Sequence, residues 1–301
     1  MKIRSLQKQS TERLLPGTWI RPQFDFAFPR HLLHAQEQAT RLASRYFVLC
    51  TSREGGVSEG KFASMNLGRA QGDDQLAVSE NRRRLDSYLP WPSQYMRLCH
   101  GHHCIRIDPQ ALDQSLPEAD AVLLCDPGVA VVMLTGDCLP IVLADAQGNA
   151  LALVHAGWRG LAAGVIEAAV LAMRQHISHQ ARMLAWIGPS IGASAFEVGE
   201  DVLLAFSPPE RCHLYFRKRG LRQTGRVSRL DPVSSQGLAP GQHEGERWMA
   251  DLLALARRRL RLAGVDAMGG GLWCTWHDSD RFFSHRRQSG GGRFATAIAM
   301  L

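Results

Sequence analysis

The chain has 301 residues, 45% hydrophobic and 21% charged, with a formal net charge of +7. Those proportions belong to a soluble globular protein able to bury a large core, and they exclude fibrous and disordered classes. No apolar run approaches the roughly 18 residues of a membrane span, and residues 1–13 are too polar and basic for a secretory leader. A cytoplasmic protein without membrane partners is therefore expected. Seven scattered cysteines with no repeated Cys-x-x-Cys point to reduced thiols rather than a disulfide framework. The positive balance favours anionic ligands, but no aromatics interleave with the basic clusters, so no nucleic-acid partner is expected.

Residues 1–40 are expected to form a weakly ordered extension ahead of a single domain over 41–301. Residues 46–52 (Tyr-Phe-Val-Leu-Cys-Thr-Ser) predict a strand running into Arg53-Glu54-Gly55-Gly56-Val57-Ser58. A loop carrying an arginine and two glycines after a strand is a candidate anion cradle, with Arg53 as the anion ligand. Residues 75–88 predict a helix bearing Asn81 and Arg82. Between Cys99 and Cys104 lie three histidines, a density that suggests metal binding. On a strand, His100 and His102 would share one face and Cys99, Gly101 and His103 the other; spacing alone does not choose between them.

Residues 118–124 predict a strand. Three short runs rich in Val, Ile and Leu follow, at 129–134, 139–144 and 150–155; these predict strands buried on both faces. The turn cluster Asp145-Ala146-Gln147-Gly148-Asn149 makes the last two a hairpin. With Asp145 and Gly148 flanking the turn, Cys138 faces His155, and opposed side chains lie about 5 Å apart at Cβ. That is close enough to share a metal ion or a proton. After His155, the turn Ala156-Gly157-Trp158-Arg159-Gly160 leads into a helix over 161–175. A helix start suits anions, and Arg159 adds a planar donor fork there.

Further on, 184–192 predicts a buried strand ending in a Gly-Pro loop, and 207–245 a polar excursion holding Arg217, Lys218, Arg219, Arg222 and Arg226. Residues 248–263 predict a helix whose arginines 257, 258, 259 and 261 form its solvated face. Residues 272–276 predict a strand, and 282–298 a closing hairpin around Gly290-Gly291-Gly292. Cys50, Cys125 and Cys274 read as small buried hydrophobes. Strands mixed with helices, without repeats or a sharp boundary, give an α+β fold.

Gly136-Asp137-Cys138-Leu139-Pro140 with His155-Ala156-Gly157-Trp158-Arg159-Gly160 resembles the laccase-domain family, also called polyphenol oxidase-like or peptidoglycan editing factor proteins. The resemblance continues through Ser52–Ser58, Ser64-Met65-Asn66-Leu67-Gly68, Gly72-Asp73-Asp74, Asn81-Arg82, His100-Gly101 and Ala119-Asp120-Ala121. It extends to Ile187-Gly188-Pro189 and to Phe282-Phe283-Ser284-His285-Arg286-Arg287. It implies a layered α/β/β/α sandwich of mixed sheets and a zinc site made by His100, Cys138 and His155, with copper a lesser possibility. It also implies a purine nucleoside enzyme, a monomer or small homo-oligomer, that splits adenosine, inosine or methylthioadenosine with phosphate and deaminates adenosine. The departures, Cys99 before His100, Gly136 before Asp137 and His285 in place of tyrosine, remove no ligand; His102, His103 and Cys104 offer alternative metal contacts.

Two imidazoles and one thiolate leave a fourth zinc position open, the arrangement of catalytic rather than structural sites. Cys138 and His155 thus join Asp137, beside them, as expected catalytic residues, Asp137 as a proton carrier or a strand-end cap. Arg53 and Arg159 are the expected phosphate ligands. Three rivals stand beside this reading. A multicopper oxidase needs several His-x-His pairs, and His100-Gly101-His102 is the one in evidence. A Cys–His hydrolase of a peptidoglycan-precursor amide would use Cys138 as nucleophile and His155 as base. A binding protein with a structural metal would want four ligands rather than three.

Overall fold

The structure, a computed structural model, describes residues 16–22, 42, 44–111, 116–178, 180–219 and 246–301. The strands in chain order are β1 (Tyr46–Cys50), β2 (Ser93–Tyr95), β3 (Cys104–Arg106), β4 (Ala121–Leu124) and β5 (Ala130–Thr135). They continue as β6 (Leu139–Asp145), β7 (Leu151–Ala156), β8 (Met183–Ile187) and β9 (Glu197–Val198). Then come β10 (Phe216–Lys218), β11 (Trp248–Ala250), β12 (Ala267–Gly270) and β13 (Phe294–Met300). The α-helices are α1 (Gln75–Asp86), α2 (Trp158–Ala163), α3 (Val165–Arg174), α4 (Glu200–Ala205) and α5 (Leu252–Leu262).

Alternation along the strands makes the layers. A six-stranded mixed sheet, ordered β12-β8-β6-β7-β4-β3, lies over a four-stranded sheet ordered β1-β13-β5-β2. Val122, Val142, Leu151 and Leu153 of the first sheet meet Val48, Val131, Met133 and Ile298 of the second in one buried cluster. The intervening residues Leu123, Ile141, Leu143 and Val154 point the other way, against Ala169 and Met173 of α3 and Leu255, Ala256 and Leu260 of α5. On the far side of the smaller sheet, Leu49, Val132 and Ala297 pack with Leu85 of α1. The architecture is the expected α/β/β/α sandwich of mixed sheets in a single α+β domain. A three-stranded sheet, β10-β11-β9, stands beside it. Within the expected N-terminal extension, residues 16–22 lie against β1: Ile20 bridges Cys50 and Trp19 is buried. Among the described residues no helix is long and apolar enough to cross a membrane.

Several expected elements change. The β6–β7 hairpin forms, but Pro140 rather than Cys138 stands opposite His155. The turn is two residues longer than expected because the Asp145 carboxylate accepts from the backbone of Gln147 and Asn149 and from the Asn149 amide. The helix expected over 161–175 is two helices, broken at Gly164, which sits at φ +95° as the cap between them. Residues 248–250 form a strand before α5 begins. Arg259 is not part of a solvated face; it turns inward between Glu167 (3.2 Å) and Glu210 (3.0 Å).

Residues 272–276 join no sheet beyond a bridge from Cys274 to Ser190, because the Cys274 N–H is bound by the Asp278 carboxylate. No hairpin closes the chain. Arg287 donates to the carbonyls of Thr275, Trp276 and Phe282, so side chains satisfy backbone that a ladder would have paired. β13 then inserts between β1 and β5. Cys50 is buried as expected, whereas Cys125 and Cys274 are half-buried. Residues 220–245, with Arg222 and Arg226, lie outside the described residues.

Candidate metal centre

The β6–β7 hairpin sets the site at one end of the seam between the two sheets. A two-residue shift in register keeps every side chain on its face, so Cys138 and His155 remain diagonal neighbours on the inter-sheet side. β4 pairs with β7 so that Ala121 faces Val154, which brings Asp120 beside His155. The His155 N–H donates to the Asp120 carbonyl (2.7 Å), and His155 Nδ1 lies 2.8 Å from Asp120 Oδ1. With Nδ1 held by that carboxylate, Nε2 is the ring nitrogen left to face the site.

His100 comes from the irregular segment before β3, not from a strand. Asp120 is again the cause: its carboxylate accepts from the backbone N–H groups of Cys99 (3.2 Å), His100 (3.0 Å) and Gly101 (2.7 Å). The loop wraps tightly enough to hold His100 at φ +61°. The donor atoms of His100, Cys138 and His155 all lie within 4.8 Å of one another. His155 is buried, Cys138 half-buried and His100 exposed, so the group opens to solvent on the His100 side. Two glycines permit this convergence. A Cβ on Gly157 would sit 2.9 Å from Cys138 Sγ and 3.2 Å from His100 Cδ2; one on Gly160 would sit 2.5 Å from the Gly101 carbonyl oxygen.

The electrostatics match a metal-ligand set. Burial alone would raise the Cys138 thiol, but the adjoining His155 charge and hydrogen bonds from both histidines bring it down to about 6. Burial would likewise lower His155, and Cys138 together with Asp120 pushes it up to about 9. Against its own burial, the Asp120 carboxyl is held well below the usual carboxylate range by His155, the Cys99 thiol and the Gly101 N–H. A thiolate already favoured and two oriented imidazoles fit a divalent ion of the zinc type.

The other expected site residues are placed differently. Asp137 adjoins Cys138 in sequence, but its carboxylate accepts from Thr275 Oγ1 (2.6 Å) and the Arg286 N–H (2.6 Å), tying two loops to the end of β6. Arg53 braces its own loop: Nε donates to the Ala63 carbonyl, Nη1 to that of Ser279, and the guanidinium lies over the Phe283 ring. Arg159 is exposed at the start of α2, over the Trp158 ring at 4.4 Å. His102 and His103 are exposed, and neither joins the three-residue group.

Sequence reasoning missed Asp120 as the organiser of all this. Its signal was present, since a strand over 118–124 paired with β7 puts Asp120 next to His155. It also missed Arg293, whose Cδ, Nε and Nη1 pack over Gly136 at 3.0–3.3 Å of a built Cβ. That guanidinium feels the charges of both Asp137 and Cys138. His285 lies nearby, donating its N–H to the Gly136 carbonyl (2.7 Å), and burial with Arg293 holds its imidazole below the ordinary range.

Known proteins resemble the whole of this domain. A purine nucleoside phosphorylase of Pseudomonas aeruginosa is 41% identical over 248 residues, spanning 82% of this chain and 90% of its own length. Purine nucleoside phosphorylase YfiH of Escherichia coli is 35% identical, over 84% of this chain and 93% of its own. The crystal structure of a Neisseria meningitidis protein superposes with a TM-score of 0.71 at 33% identity, covering 93% of this chain and 98% of that one. A family model described as multi-copper polyphenol oxidoreductase laccase matches residues 47–301. The chain belongs to that laccase-like family.

Proposed function

We propose that the chain is a zinc-dependent purine nucleoside phosphorylase that splits adenosine, inosine and methylthioadenosine with phosphate and also deaminates adenosine. The convergence of His100, Cys138 and His155 at an open end of the inter-sheet seam carries this reading. Relatives named purine nucleoside phosphorylases, matching over most of their length, support the substrate class. A zinc ion held by those three side chains would supply Lewis-acid polarisation and an activated water.

The chain's own residues do the rest. Asp120 fixes the His155 ring and shapes the His100 loop, so the donors are oriented before any ligand arrives. Asp137, anchored by Thr275 and Arg286, is assigned to proton transfer or to orienting the ribose. Phosphate is assigned to Arg159 at the exposed rim, while Arg53 braces its own loop. The reaction is intracellular chemistry on a small molecule and calls for no macromolecular partner.

The single zinc-type group argues for this reading over multicopper oxidation, for it is the one set of three ligands among the described residues. The hydrolase reading is favoured by one observation, the mutual stabilisation of a Cys138 thiolate and a His155 imidazolium. Incubation of zinc-loaded protein with adenosine, with and without phosphate, separates the two. Phosphate-dependent release of adenine and ribose 1-phosphate, with hypoxanthine from deamination, is expected. Absence of any purine product with zinc bound would contradict the proposal, and amide cleavage surviving without metal would favour the thiol. Arg159→Ala should raise the KM for phosphate by about tenfold with kcat retained, as expected for loss of an anion contact; an unchanged KM would remove Arg159 from the phosphate site.

A further inference from the structure

Outside the metal centre, Cys274 occupies a setting unlike that of the other cysteines. Its Sγ lies 3.1 Å from His277 Nδ1 and accepts the Gly192 N–H at 3.2 Å. In the tautomer protonated on Nε2, Nδ1 accepts the thiol proton, giving a nucleophile and base within hydrogen-bond reach. The backbone fixes the sulfur in place. The Cys274 N–H is bound by Asp278 Oδ2 (2.9 Å), and the Asp278 N–H returns to the Cys274 carbonyl (2.8 Å). A Cβ on Gly192 would stand 3.1 Å from the sulfur, so glycine there is what lets its N–H approach.

Arg287 donates to the Thr275 and Trp276 carbonyls directly after Cys274, and its guanidinium feels the Cys274 charge. Three cysteines outside the metal centre are held back. Burial pushes Cys50 up to about 12 and Cys104 up to about 11. Cys99 is exposed, but its thiol donates to Asp120 Oδ2 (2.9 Å), which disfavours its ionisation. Cys274 is half-buried and His277 exposed, so a small molecule can reach the pair.

We propose that Cys274 and His277 form a second reactive centre, a thiol that is modified by small disulfides of the glutathione type. His277 takes the thiol proton; the Cys274 sulfur attacks one sulfur of the disulfide and a new S–S bond forms as the old one breaks. The leaving thiolate recovers the proton from His277, so Cys274 is oxidised and half of the disulfide is reduced. The adduct has a route to the metal centre. Gly192 follows Ile191, whose N–H donates to the Asp137 carbonyl, and Thr275 follows Cys274 and donates to the Asp137 carboxylate. A bulky group on the sulfur displaces one of these two supports of Asp137.

The inference stands apart from the nucleoside reading, and its test reads the adduct rather than turnover. Zinc-loaded protein is exposed to oxidised glutathione near neutral pH, and each cysteine peptide is followed by mass spectrometry. The mixed disulfide is expected first at Cys274, forming on the order of tenfold more slowly in His277→Gln, as for loss of an activating base, and absent from that peptide in Cys274→Ser. Equal rates in wild type and His277→Gln, or earlier modification of Cys99 or Cys212, would overturn the proposal.

Discussion

Asp120 does more at the site than any single ligand. It is fully buried, and one carboxylate serves three backbone N–H groups, a thiol and the His155 ring. Asp120→Asn keeps the shape but loses the charge and reverses one hydrogen-bond polarity. Metal affinity should fall by roughly 10–100-fold, the usual effect of removing a carboxylate that orients a ligating histidine; competition with a chromogenic chelator measures it, and an unchanged affinity would show the carboxylate to be incidental. Titration behaviour is the second residue-scale test. In metal-free protein, with Cys138 down to about 6 and His155 up to about 9, the two form an ion pair between those values. The thiolate's contribution to stability is full above the ordinary thiol pKa of roughly 8.5 and fades as pH falls through 6. The imidazolium's is full below roughly 6.5 and fades as pH rises through 9. Alkylation of Cys138 should therefore persist well below neutral pH and inflect near 6; an inflection near the ordinary thiol value would refute the pairing.

At the scale of elements, the turn between β7 and α2 is built on close approach. Gly160 lies inside a helix, where alanine ordinarily gains about 1 kcal/mol over glycine. Here a Cβ would meet the Gly101 carbonyl oxygen at 2.5 Å. Gly160→Ala should instead destabilise by about 1–3 kcal/mol, the usual range for overpacking, and should weaken metal binding by moving the His100 loop. Urea unfolding of the metal-free protein decides the sign, and a stabilised variant would contradict the contact. The hairpin also shows what was legible in the sequence. Apolar runs and the 145–149 turn cluster located β6 and β7 and put Cys138 and His155 together. The register was two residues off because the Asp145 side chain, bonding Gln147 and Asn149 beside the backbone turn, closes a longer loop. Even so, a shift of two preserves the face, which is why the pairing survived. His100 was different: its loop is shaped by a carboxylate 20 residues away, and no local periodicity reports that.

For the whole molecule, continuous apolar runs made β5, β6 and β7 legible as strands buried on both faces, the sandwich followed from the family resemblance, and the chain's end was not legible. Residues 272–276 and 282–287 read as strands, yet Arg287, Asp278 and Asp137 claim their backbone groups and hold them in turns over the site. The Asp137 contact with Arg286 spans 149 residues, and the Asp278 and Arg287 contacts, though local, follow no sequence period. The inter-sheet cluster supports the seam at whose end the metal ligands converge. Leu153→Ala, fully buried between the sheets, should cost about 2–5 kcal/mol. Because the neighbouring β7 position His155 is anchored separately by Asp120, metal affinity of the folded variant should change far less. Denaturant unfolding and chelator competition together check this, and a parallel collapse of both would show the site to depend on the core rather than on Asp120.

The central claim is that His100, Cys138 and His155 hold a metal on which nucleoside phosphorolysis depends. Zinc is titrated into metal-free protein while ribose 1-phosphate release from adenosine and phosphate is followed, in wild type and in His100→Ala. The account predicts turnover that rises with zinc, saturates at a single ion per chain, and stays at background in His100→Ala. Full turnover before any zinc is added, or equal turnover in the variant, would contradict it.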